Sequence, residues 1–200
     1  MVMLKYTVVG LVVVVLTGCR AVTVNSCTKN PTDDINIKSF NIDPSPIQVP
    51  GSLSLALAVD VRKSIEGNLR ADVIIRRKLG PVWIPVPCFN NVGSCTYTDV
   101  CSLLRNLATN GCPAVLTAIN LTCSCPVAAG TYTLPHQTFH IDTNTVGIST
   151  SILAGQYQAN VRLTDANTHT EIACFDVAAT LTQPPSSSTL SRFFSGLFGG

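Results

Sequence analysis

The sequence predicts an all-β fold, a sandwich or cup of antiparallel strands with one short helix and four disulfides. Three observations predict this class. Several segments alternate apolar and polar residues, as half-buried strands do. Six of the nine cysteines lie within residues 81–125, between two of those segments. Charged residues are only 12% and apolar residues 46% of the chain, so the fold must bury or enclose a large apolar surface.

The segment that follows the first 21 residues carries weak signals. Residues 22–33 are short and polar, and they are predicted to form a loose leader that carries Cys27. Residues 35–42 then alternate, but the apolar positions change parity midway. An extra residue in a strand produces such a change, so a β-bulge is predicted near Ser39.

The clearest strand covers residues 53–61. One face holds only leucine and valine, and the other holds serine, alanine and aspartate. After a turn at residues 66–68, residues 71–78 return as a second strand. Residues 82–86 contain Trp83 among prolines, which favours an edge strand or a loop over a central strand. Trp83 fits either core packing or an apolar lip at a cavity mouth that touches a membrane interface.

One helix is predicted inside the cysteine-rich stretch. Thr98 or Asp99 is suited to cap its start, and Asn110-Gly111 is suited to end it. The apolar residues between these ends recur at i, i+3, i+4 and i+7, which predicts one buried helix face. They are Val100, Leu103, Leu104 and Leu107.

Strand signals resume after the cysteines. Residues 130–134, 138–142, 156–164 and 171–181 alternate, and a turn at 165–168 joins the last two segments as a hairpin. One face of the third segment holds Tyr157, Ala159, Val161 and Leu163. Seven or eight short strands with one helix favour a sandwich or a cup.

The first 21 residues are predicted to be a cleaved signal peptide. Lys5 supplies the positive end, residues 8–16 form an apolar run, and residues 17–19 are small enough for a signal-peptidase site. The apolar run is shorter than the roughly 20 residues that a membrane-spanning helix needs. Residues 16–19 also fit a bacterial lipoprotein box.

The number of cysteines and a glycosylation sequon indicate an exported protein. Without Cys19, eight cysteines remain, an even number that predicts four disulfides in an oxidising compartment. The sequence Asn120-Leu121-Thr122 is a glycosylation acceptor, so Asn120 is predicted to carry a glycan. Both features favour a protein that enters a secretory route.

The chain divides into a domain at residues 22–182 and a tail at residues 183–200. The tail begins with prolines and serines, and its aromatic and leucine side chains then recur at helical spacing. This pattern is typical of an amphipathic segment that lies on a membrane or a lipid. A frayed terminus and a helix that docks on its own domain are the alternatives.

Catalytic and nucleic-acid signatures are absent from the sequence. The net charge is +2 without a basic run, which excludes a nucleic-acid surface. No nucleophile elbow, zinc-protease motif or phosphate loop occurs. His136 and His140 share a strand face, but no third ligand of the right type is near in sequence. We therefore predict no catalytic residue, metal or cofactor, and no enzyme.

Five segments resemble the GM-2 ganglioside activator family, within the MD-2-related lipid-recognition group. They span about residues 27–181 in the right order and include all eight remaining cysteines. The matching segments are DPSPIQVPG (43–51), VWIPVPCFNNVGSCTYTDVC (82–101), CSCPVAAGTYTLP (123–135), AGQYQANVRL (154–163) and IACFDVAATL (172–181). The resemblance implies an antiparallel β-cup around an apolar cavity. It also implies the disulfides Cys27–Cys174, Cys88–Cys95, Cys101–Cys125 and Cys112–Cys123.

The resemblance further implies a lipid-binding and lipid-transfer protein. Such a protein extracts a glycolipid or phospholipid from a membrane surface, which it touches transiently, and presents it to a lysosomal glycoside hydrolase. The alternative is an extracellular lipid-recognition protein that acts with a receptor in immunity or signalling. Exposing one methylene to water costs ~0.8 kcal/mol, so a carrier must cover the lipid chain.

Two sets of site residues follow from the strand faces and the resemblance. The family's second tryptophan is replaced at 151–152 by Ser151 and Ile152, and the phenylalanine-rich tail is an addition. The predicted lipid-binding residues are Leu55, Leu57, Val59, Val73, Ile75, Trp83, Tyr157, Val161 and Leu163. The predicted membrane contacts are Trp83, Ile152, Leu153, Phe193, Phe194 and Leu197.

Overall fold

A computed structural model describes residues 22–29, 34–142 and 153–184. The predicted signal peptide lies outside the described residues, as do Ile152 and the tail residues Phe193, Phe194 and Leu197. Within the described part, no helix is both long enough and apolar enough to cross a bilayer.

Ten strands and two short helices make up the described part of the chain. A single turn of 3-10 helix at Ala108–Asn110 extends the first helix. The strands are β1 (Val22–Ser26), β2 (Ile35–Asp43), β3 (Ile47–Gln48), β4 (Gly51–Val61), β5 (Leu69–Leu79), β6 (Val82–Pro85), β7 (Thr96–Tyr97), β8 (Gly130–Ile141), β9 (Gly155–Asp165) and β10 (Glu171–Thr182). The helices are α1 (Val100–Leu107) and α2 (Ala114–Thr117).

The strands form a seven-stranded sheet and a three-stranded sheet. The larger sheet has the order β1-β10-β9-β5-β6, with β3 added beside β10 and β7 beside β5. The smaller sheet has the order β2-β4-β8. All pairings are antiparallel except that of β3 with β10. The predicted all-β class with antiparallel strands is confirmed.

The two sheets meet along one side and are bridged along the other. Strands β1 and β10 contact β2, which joins the sheets on that side. The segment between β7 and β8 carries both helices. Backbone hydrogen bonds of 2.8 and 3.0 Å between Ile65 and Val127 tie the end of this segment to the β4–β5 connection.

The interior between the sheets is hollow at its centre. The buried apolar side chains that pack together form a small cluster of Val61, Ile65, Leu69 and Cys101. Cys174 is the largest fully buried side chain among the described residues. The other inward-facing side chains are mostly half-buried, as expected when they border a space rather than a packed partner.

Two β-bulges keep apolar side chains on the inner faces. The register between β2 and β4 shifts between Ile37 and Ser39, which confirms the predicted bulge near Ser39. A second shift lies between β4 and β8, where Leu55 pairs with Gln137 but Leu57 pairs with Leu134. The extra residue on β8 changes which side chains of that strand, odd-numbered or even-numbered, face inward. Pro135 lies at this bulge, where no ladder hydrogen bond from its nitrogen is needed.

Several sequence expectations were wrong in detail. The predicted loose leader contains strand β1, which pairs with β10 through residues such as Val22 and Val24. One helix was expected, and the structure adds α2. Leu103, expected on the buried face of α1, is 39% exposed. This helix buries a narrow face because the cavity and the disulfide at Cys101 contact only one side of it.

Candidate functional site

An apolar cavity of about 420 Å³ lies between the sheets and the helical segment. This volume falls in the range of about 300–1,000 Å³ that is typical of small-molecule sites. Seventeen described residues line it, and Tyr132 is the only one of them with a polar group in its side chain. The lining residues are Ile35, Leu57, Val59, Val61, Ile65, Leu69, Val100, Leu104, Val115, Leu116, Ile119, Leu121, Val127, Tyr132, Leu134, Phe139 and Leu163.

The smaller sheet supplies one wall of the cavity. Its central strand, β4, contributes alternate residues, since every second side chain of a strand points to the same face. On β8 the bulge at Pro135 allows Leu134 and Phe139, which have opposite parity, to face the same cavity. Strands on both sides of β4 hold its backbone in place, so this wall is rigid.

A disulfide-closed segment supplies the opposite wall. Cys112 and Cys123 are bonded, and the residues between them place four apolar side chains against the cavity. Helix α2 is only four residues long, has no side-chain cap, and contains no buried residue. A helix of this length is not stable by itself. The disulfide closes the segment, and backbone hydrogen bonds within it, such as the one from the Leu121 amide to the Leu116 carbonyl at 2.9 Å, stabilise the short helix.

Helix α1 closes the end of the cavity with Val100 and Leu104. Asp99 caps this helix, and its Oδ1 accepts a hydrogen bond of 2.8 Å from the Ser102 amide. Hydrogen bonds from the Ser102 hydroxyl and then its amide lower the pKa of Asp99. The disulfide Cys101–Cys125 fixes the helix to the segment before β8. Of the two caps that the sequence offered, Thr98 and Asp99, the structure has Asp99.

The polarity of the cavity suits an alkyl chain. The Tyr132 hydroxyl donates a hydrogen bond of 2.7 Å to the carbonyl of Ala128, which satisfies the one polar side-chain group in the wall. No charged residue lines the cavity in the described part of the chain. Because an apolar cavity offers water few hydrogen-bond partners, it favours an apolar occupant.

Three of the nine predicted lipid-binding residues line this cavity, namely Leu57, Val59 and Leu163. Five others are half-buried and share the parity of the inner faces, but they lie outside the cavity wall. They are Leu55, Val73, Ile75, Tyr157 and Val161. Their lipid contact stays a prediction.

Trp83 has a different placement. It pairs with Lys78 on the neighbouring strand, and Lys78 lies on the outer face of the larger sheet. The Lys78 ammonium is 5.9 Å from the centre of the indole ring. Trp83 is half-buried on an edge strand, as the sequence predicted, and faces away from the cavity. This position suits its predicted membrane contact better than its predicted contact with an enclosed lipid.

Most of the helical wall was missed by sequence reasoning. Residues 113–121 contain Val115, Leu116, Ile119 and Leu121, all of which line the cavity. The available signal was an apolar stretch framed by Cys112 and Cys123, too short to show helical periodicity.

Leu153 and Asn120 are the other predicted site residues within the described part. Leu153 is half-buried, and its carbonyl accepts a hydrogen bond of 2.9 Å from the Tyr157 hydroxyl. Asn120 is exposed just after α2, with a φ of 59°. Its side chain is accessible to modification, and its neighbours Ile119 and Leu121 line the cavity.

The disulfides have the pairing that the resemblance implies. Cys27–Cys174 joins the end of β1 to β10, and Cys88–Cys95 closes a tight loop beside β6. Cys101–Cys125 and Cys112–Cys123 hold the helical wall. Such cross-links stabilise a fold whose interior is hollow, mainly by restricting the unfolded chain.

The two histidines singled out in the sequence lie on the exposed face of β8. The Nδ1 atom of His140 is 2.8 Å from the Ser52 hydroxyl, and that of His136 is 3.3 Å from the Ser54 hydroxyl. Across residues 22–29, 34–142 and 153–184, no group of three or more histidine, cysteine or acidic side chains is placed to hold a metal ion.

Sequence comparison places the chain in a family. The ML domain family matches residues 21–181. The ganglioside GM2 activator of Macaca fascicularis is 29% identical over 154 residues, which cover 74% of this chain and 77% of that protein. The ganglioside GM2 activator of Mus musculus is 28% identical over 151 residues, which cover 74% of this chain and 76% of that protein.

Two solved structures are similar at low identity. A Niemann-Pick type C2 protein from the Japanese carpenter ant is 10% identical, with a TM-score of 0.41, and the match covers 80% of this chain and 99% of that one. Chicken MD-1 complexed with lipid IVa is 17% identical, with a TM-score of 0.39, covering 80% and 88%. Superpositions with TM-scores this low support no functional argument.

The family match includes both sheets, both helices and every residue that lines the cavity. Both relatives are named as activators. The chain therefore belongs to the ML-domain family and has the lipid-binding fold of that family.

Proposed function

We propose that this protein is a lipid carrier that takes the apolar chain of a lipid into the cavity and leaves the headgroup outside. The observation that carries the proposal is a cavity wall of seventeen residues whose single polar side-chain group is already hydrogen-bonded. Covering about ten methylenes would recover on the order of 8 kcal/mol of hydrophobic free energy. That amount offsets the cost of exposing the same methylenes to water when the lipid leaves the membrane.

The second part of the proposal is that the carrier presents its lipid to a lysosomal glycoside hydrolase, as a sphingolipid activator does. The cargo is then a glycolipid or a phospholipid with the headgroup accessible to the enzyme. The similarity to two proteins named ganglioside GM2 activator supports this reading. The protein itself is not an enzyme in this proposal.

The third part concerns processing and location. Residues 1–21 are removed as a signal peptide, residues 22–182 form the lipid-binding domain, and the protein is secreted or lysosomal. The four disulfides support an oxidising route, and the exposed Asn120 is accessible to a glycan. The tail at 183–200, with Phe193, Phe194 and Leu197, touches the membrane together with Trp83, Ile152 and Leu153.

A transfer assay tests the proposal. Donor vesicles that carry a fluorescent glycolipid or phospholipid are mixed with the protein and with acceptor vesicles. The wild type should move lipid, and Val59→Asp, which adds a charge to the cavity wall, should not. Ser52→Asp adds the same charge to the exposed face of the same strand and should transfer lipid normally.

The activator role is tested separately by adding a lysosomal glycoside hydrolase and measuring cleavage of the vesicle glycolipid. Stimulated cleavage is the expected result. Transfer without stimulation would leave a lipid carrier and remove the activator role. A lipid-dependent complex with a receptor would instead favour the extracellular recognition role.

A further inference from the structure

One arginine lies on the inner face of the larger sheet. Leu163 lines the cavity and pairs with Ala71 of β5, and alternate residues of a strand share a face. Arg77 shares the face of Ala71, and its partner on β9 is Tyr157. The other positions of this face carry no charge: Ala71, Val73 and Ile75 on β5, and Gly155, Tyr157, Ala159, Val161 and Leu163 on β9. Arg77 therefore places a permanent positive charge on an apolar inner face.

The guanidinium of Arg77 has one hydrogen bond within the described residues. Its Nη2 atom donates to the Ala154 carbonyl at 2.7 Å. Its Nε atom is buried and has no hydrogen-bond partner in the described part of the chain. A buried N–H group without an acceptor costs free energy. A ligand that supplies an acceptor would remove that cost.

Gly155 keeps one edge of the guanidinium free of a side chain. A Cβ atom at residue 155 would lie 3.1 Å from Nε and 3.6 Å from Nη2 of Arg77. Any larger residue would therefore cover the edge that these two nitrogens form. A planar guanidinium uses such an edge to bind two oxygens of one oxyanion.

The chain supplies no counter-ion at this end of the cup. Within the described residues, none of the ion pairs includes Arg77. The segments that form or adjoin this end contain no acidic residue in the sequence: 44–59, 73–98, 143–164 and 177–200. A charge among apolar groups is costly unless it is paired. An anionic group on the ligand would supply the missing partner.

The distance between Arg77 and the cavity suits one lipid chain. Arg77 is six residues along β5 from Ala71, which pairs with the cavity residue Leu163. At about 3.3 Å per residue, this separation is about 20 Å. One lipid chain spans about 15 Å, half of the hydrocarbon thickness of a bilayer. A chain that begins in the cavity therefore brings its headgroup close to Arg77.

We propose that Arg77 binds the anionic group of the lipid whose chain lies in the cavity. The inference rests on the proposed carrier function and narrows its cargo to lipids that carry a phosphate, a sulfate or a carboxylate. The N–H groups of Arg77 that Ala154 does not use donate to the oxyanion. A purely structural role, in which Arg77 only holds Ala154, needs one N–H group and no charge.

Isothermal titration of the disulfide-bonded protein with single-chain lipids tests this proposal. Four ligands share one chain length and differ in the headgroup: lysophosphatidic acid, an alkyl sulfate, a fatty acid and the uncharged monoacylglycerol, each below its micelle concentration. Wild type should bind the best of the anions about tenfold more tightly than monoacylglycerol, because hydrogen bonds between charged groups are the strong ones. The anion that binds most tightly identifies the headgroup as phosphate, sulfate or carboxylate.

Three variants separate the guanidinium from charge in general. Arg77→Gln should bind the preferred anion about tenfold more weakly than wild type and bind monoacylglycerol as wild type does. Arg77→Lys keeps the charge without the planar fork, so its preference should lie between the two. Arg76→Gln is the matched control, because Arg76 is the neighbouring arginine on the exposed face of β5. It should keep the wild-type preference, and high salt should reduce that preference only slightly, since a buried pair is weakly screened.

The ratio of the anion affinity to the monoacylglycerol affinity distinguishes headgroup binding from a structural role. A merely structural Arg77 would weaken all four ligands alike when it is replaced, so a wild-type ratio in Arg77→Gln would overturn the proposal. Wild type that binds all four ligands equally would also overturn it and would keep the carrier. Wild type that binds none of them would refute the carrier itself.

Side-chain NMR of wild type reports the contact without relying on the folding of a variant. The Nε–H signal of Arg77, assigned by its absence from Arg77→Lys, should shift when the preferred anion is added. Monoacylglycerol should leave this signal nearly in place, because it offers no oxyanion to the guanidinium. Equal shifts with the two ligands, or no shift with either, would contradict the proposal.

Discussion

The two walls of the cavity differ in how they are held. Leu57 and Leu134 stand on paired strands of the smaller sheet, where ladders of backbone hydrogen bonds fix the positions of the side chains. Val115 and Leu116 stand on a four-residue helix that has no cap and no buried residue. The disulfide Cys112–Cys123 closes the helical wall into a loop, and Cys101–Cys125 joins helix α1 to the segment before β8. A carrier needs both properties, because a fixed wall defines the space and a loosely held wall allows a lipid to enter.

Removing the disulfide of the helical wall should have the largest effect. Cys112→Ser with Cys123→Ser should lower the free energy of unfolding by about 3 kcal/mol, because a closed ring of roughly a dozen residues is lost from the unfolded state. Bound lipid should also dissociate faster, because four lining side chains lose their tether. Denaturant unfolding and lipid-release kinetics measure the two effects.

The control for this prediction is Cys88→Ser with Cys95→Ser, which removes a ring of similar size outside the cavity. Stability should again fall by about 2–3 kcal/mol, but lysolipid release from solution should stay as in wild type. Equal acceleration of release in both variants would mean that global stability, and not the helical wall, governs lipid retention.

Truncating one leucine in each wall sharpens the comparison. Leu134→Ala on β8 should destabilise the protein by about 2–4 kcal/mol, because Leu134 is buried and the strands around it do not collapse into the space. Leu116→Ala on α2 should cost less than about 1 kcal/mol, because the α2 side chains retain access to solvent. Thermal and denaturant unfolding of the two variants check the order, and equal losses would contradict a loosely held wall.

Hydrogen exchange measures the same difference without mutation. Amides of residues 113–121 should exchange well before those of β4, because few backbone bonds cross from the helical wall to the sheets. Lipid should slow the exchange of 113–121 and leave β4 unchanged. Slow exchange at 113–121 in the empty protein would show that both walls are equally rigid.

The smallest expected effect is a loss of stability at low pH. Hydrogen bonds lower the pKa of four aspartates. The main donor is Ser102 for Asp99, Thr131 for Asp60, Arg70 for Asp72 and the Thr168 amide for Asp165. A carboxylate with a lowered pKa in the folded state adds stability above its unfolded pKa and loses it as the pH falls through the folded value.

The unfolded value for aspartate is 3.8. These four carboxylates should therefore cause no loss of stability between pH 7 and pH 5, and a progressive loss below about pH 4. Urea unfolding across this range checks the prediction. Asp99→Asn, which can still cap α1 but does not titrate, should reduce the loss below pH 4.

The sequence predicted the sheets better than the cavity. Apolar and polar residues alternate over long segments in strands β4, β5, β9 and β10, so these strands could be predicted. The change of parity near Ser39 predicted the bulge. Strand β1 was missed because its second half is polar and its partner β10 is distant in sequence. Strand β8 was expected in two pieces because Pro135 normally interrupts a strand, and the bulge accommodates it.

The position of the cavity cannot be predicted from the alternation of apolar and polar residues within one strand. Leu163 and Val161 share a face of β9, but only Leu163 reaches the end where the helical wall lies. The position of the cavity depends on where residues 100–121 fold back against the sheets, and the disulfides at Cys101 and Cys112 restrict that path. Helix α2 is too short to show a period, so its contribution was not predictable from spacing.

The central claim is that the cavity holds a lipid, and native mass spectrometry of the protein tests it most directly. Lipid extracted from the same sample identifies the class of the cargo. We predict one lipid per chain in the wild type and a loss of that species in Val59→Asp. A wild-type protein that is empty, and that also fails to move fluorescent lipid between vesicles, would contradict the claim.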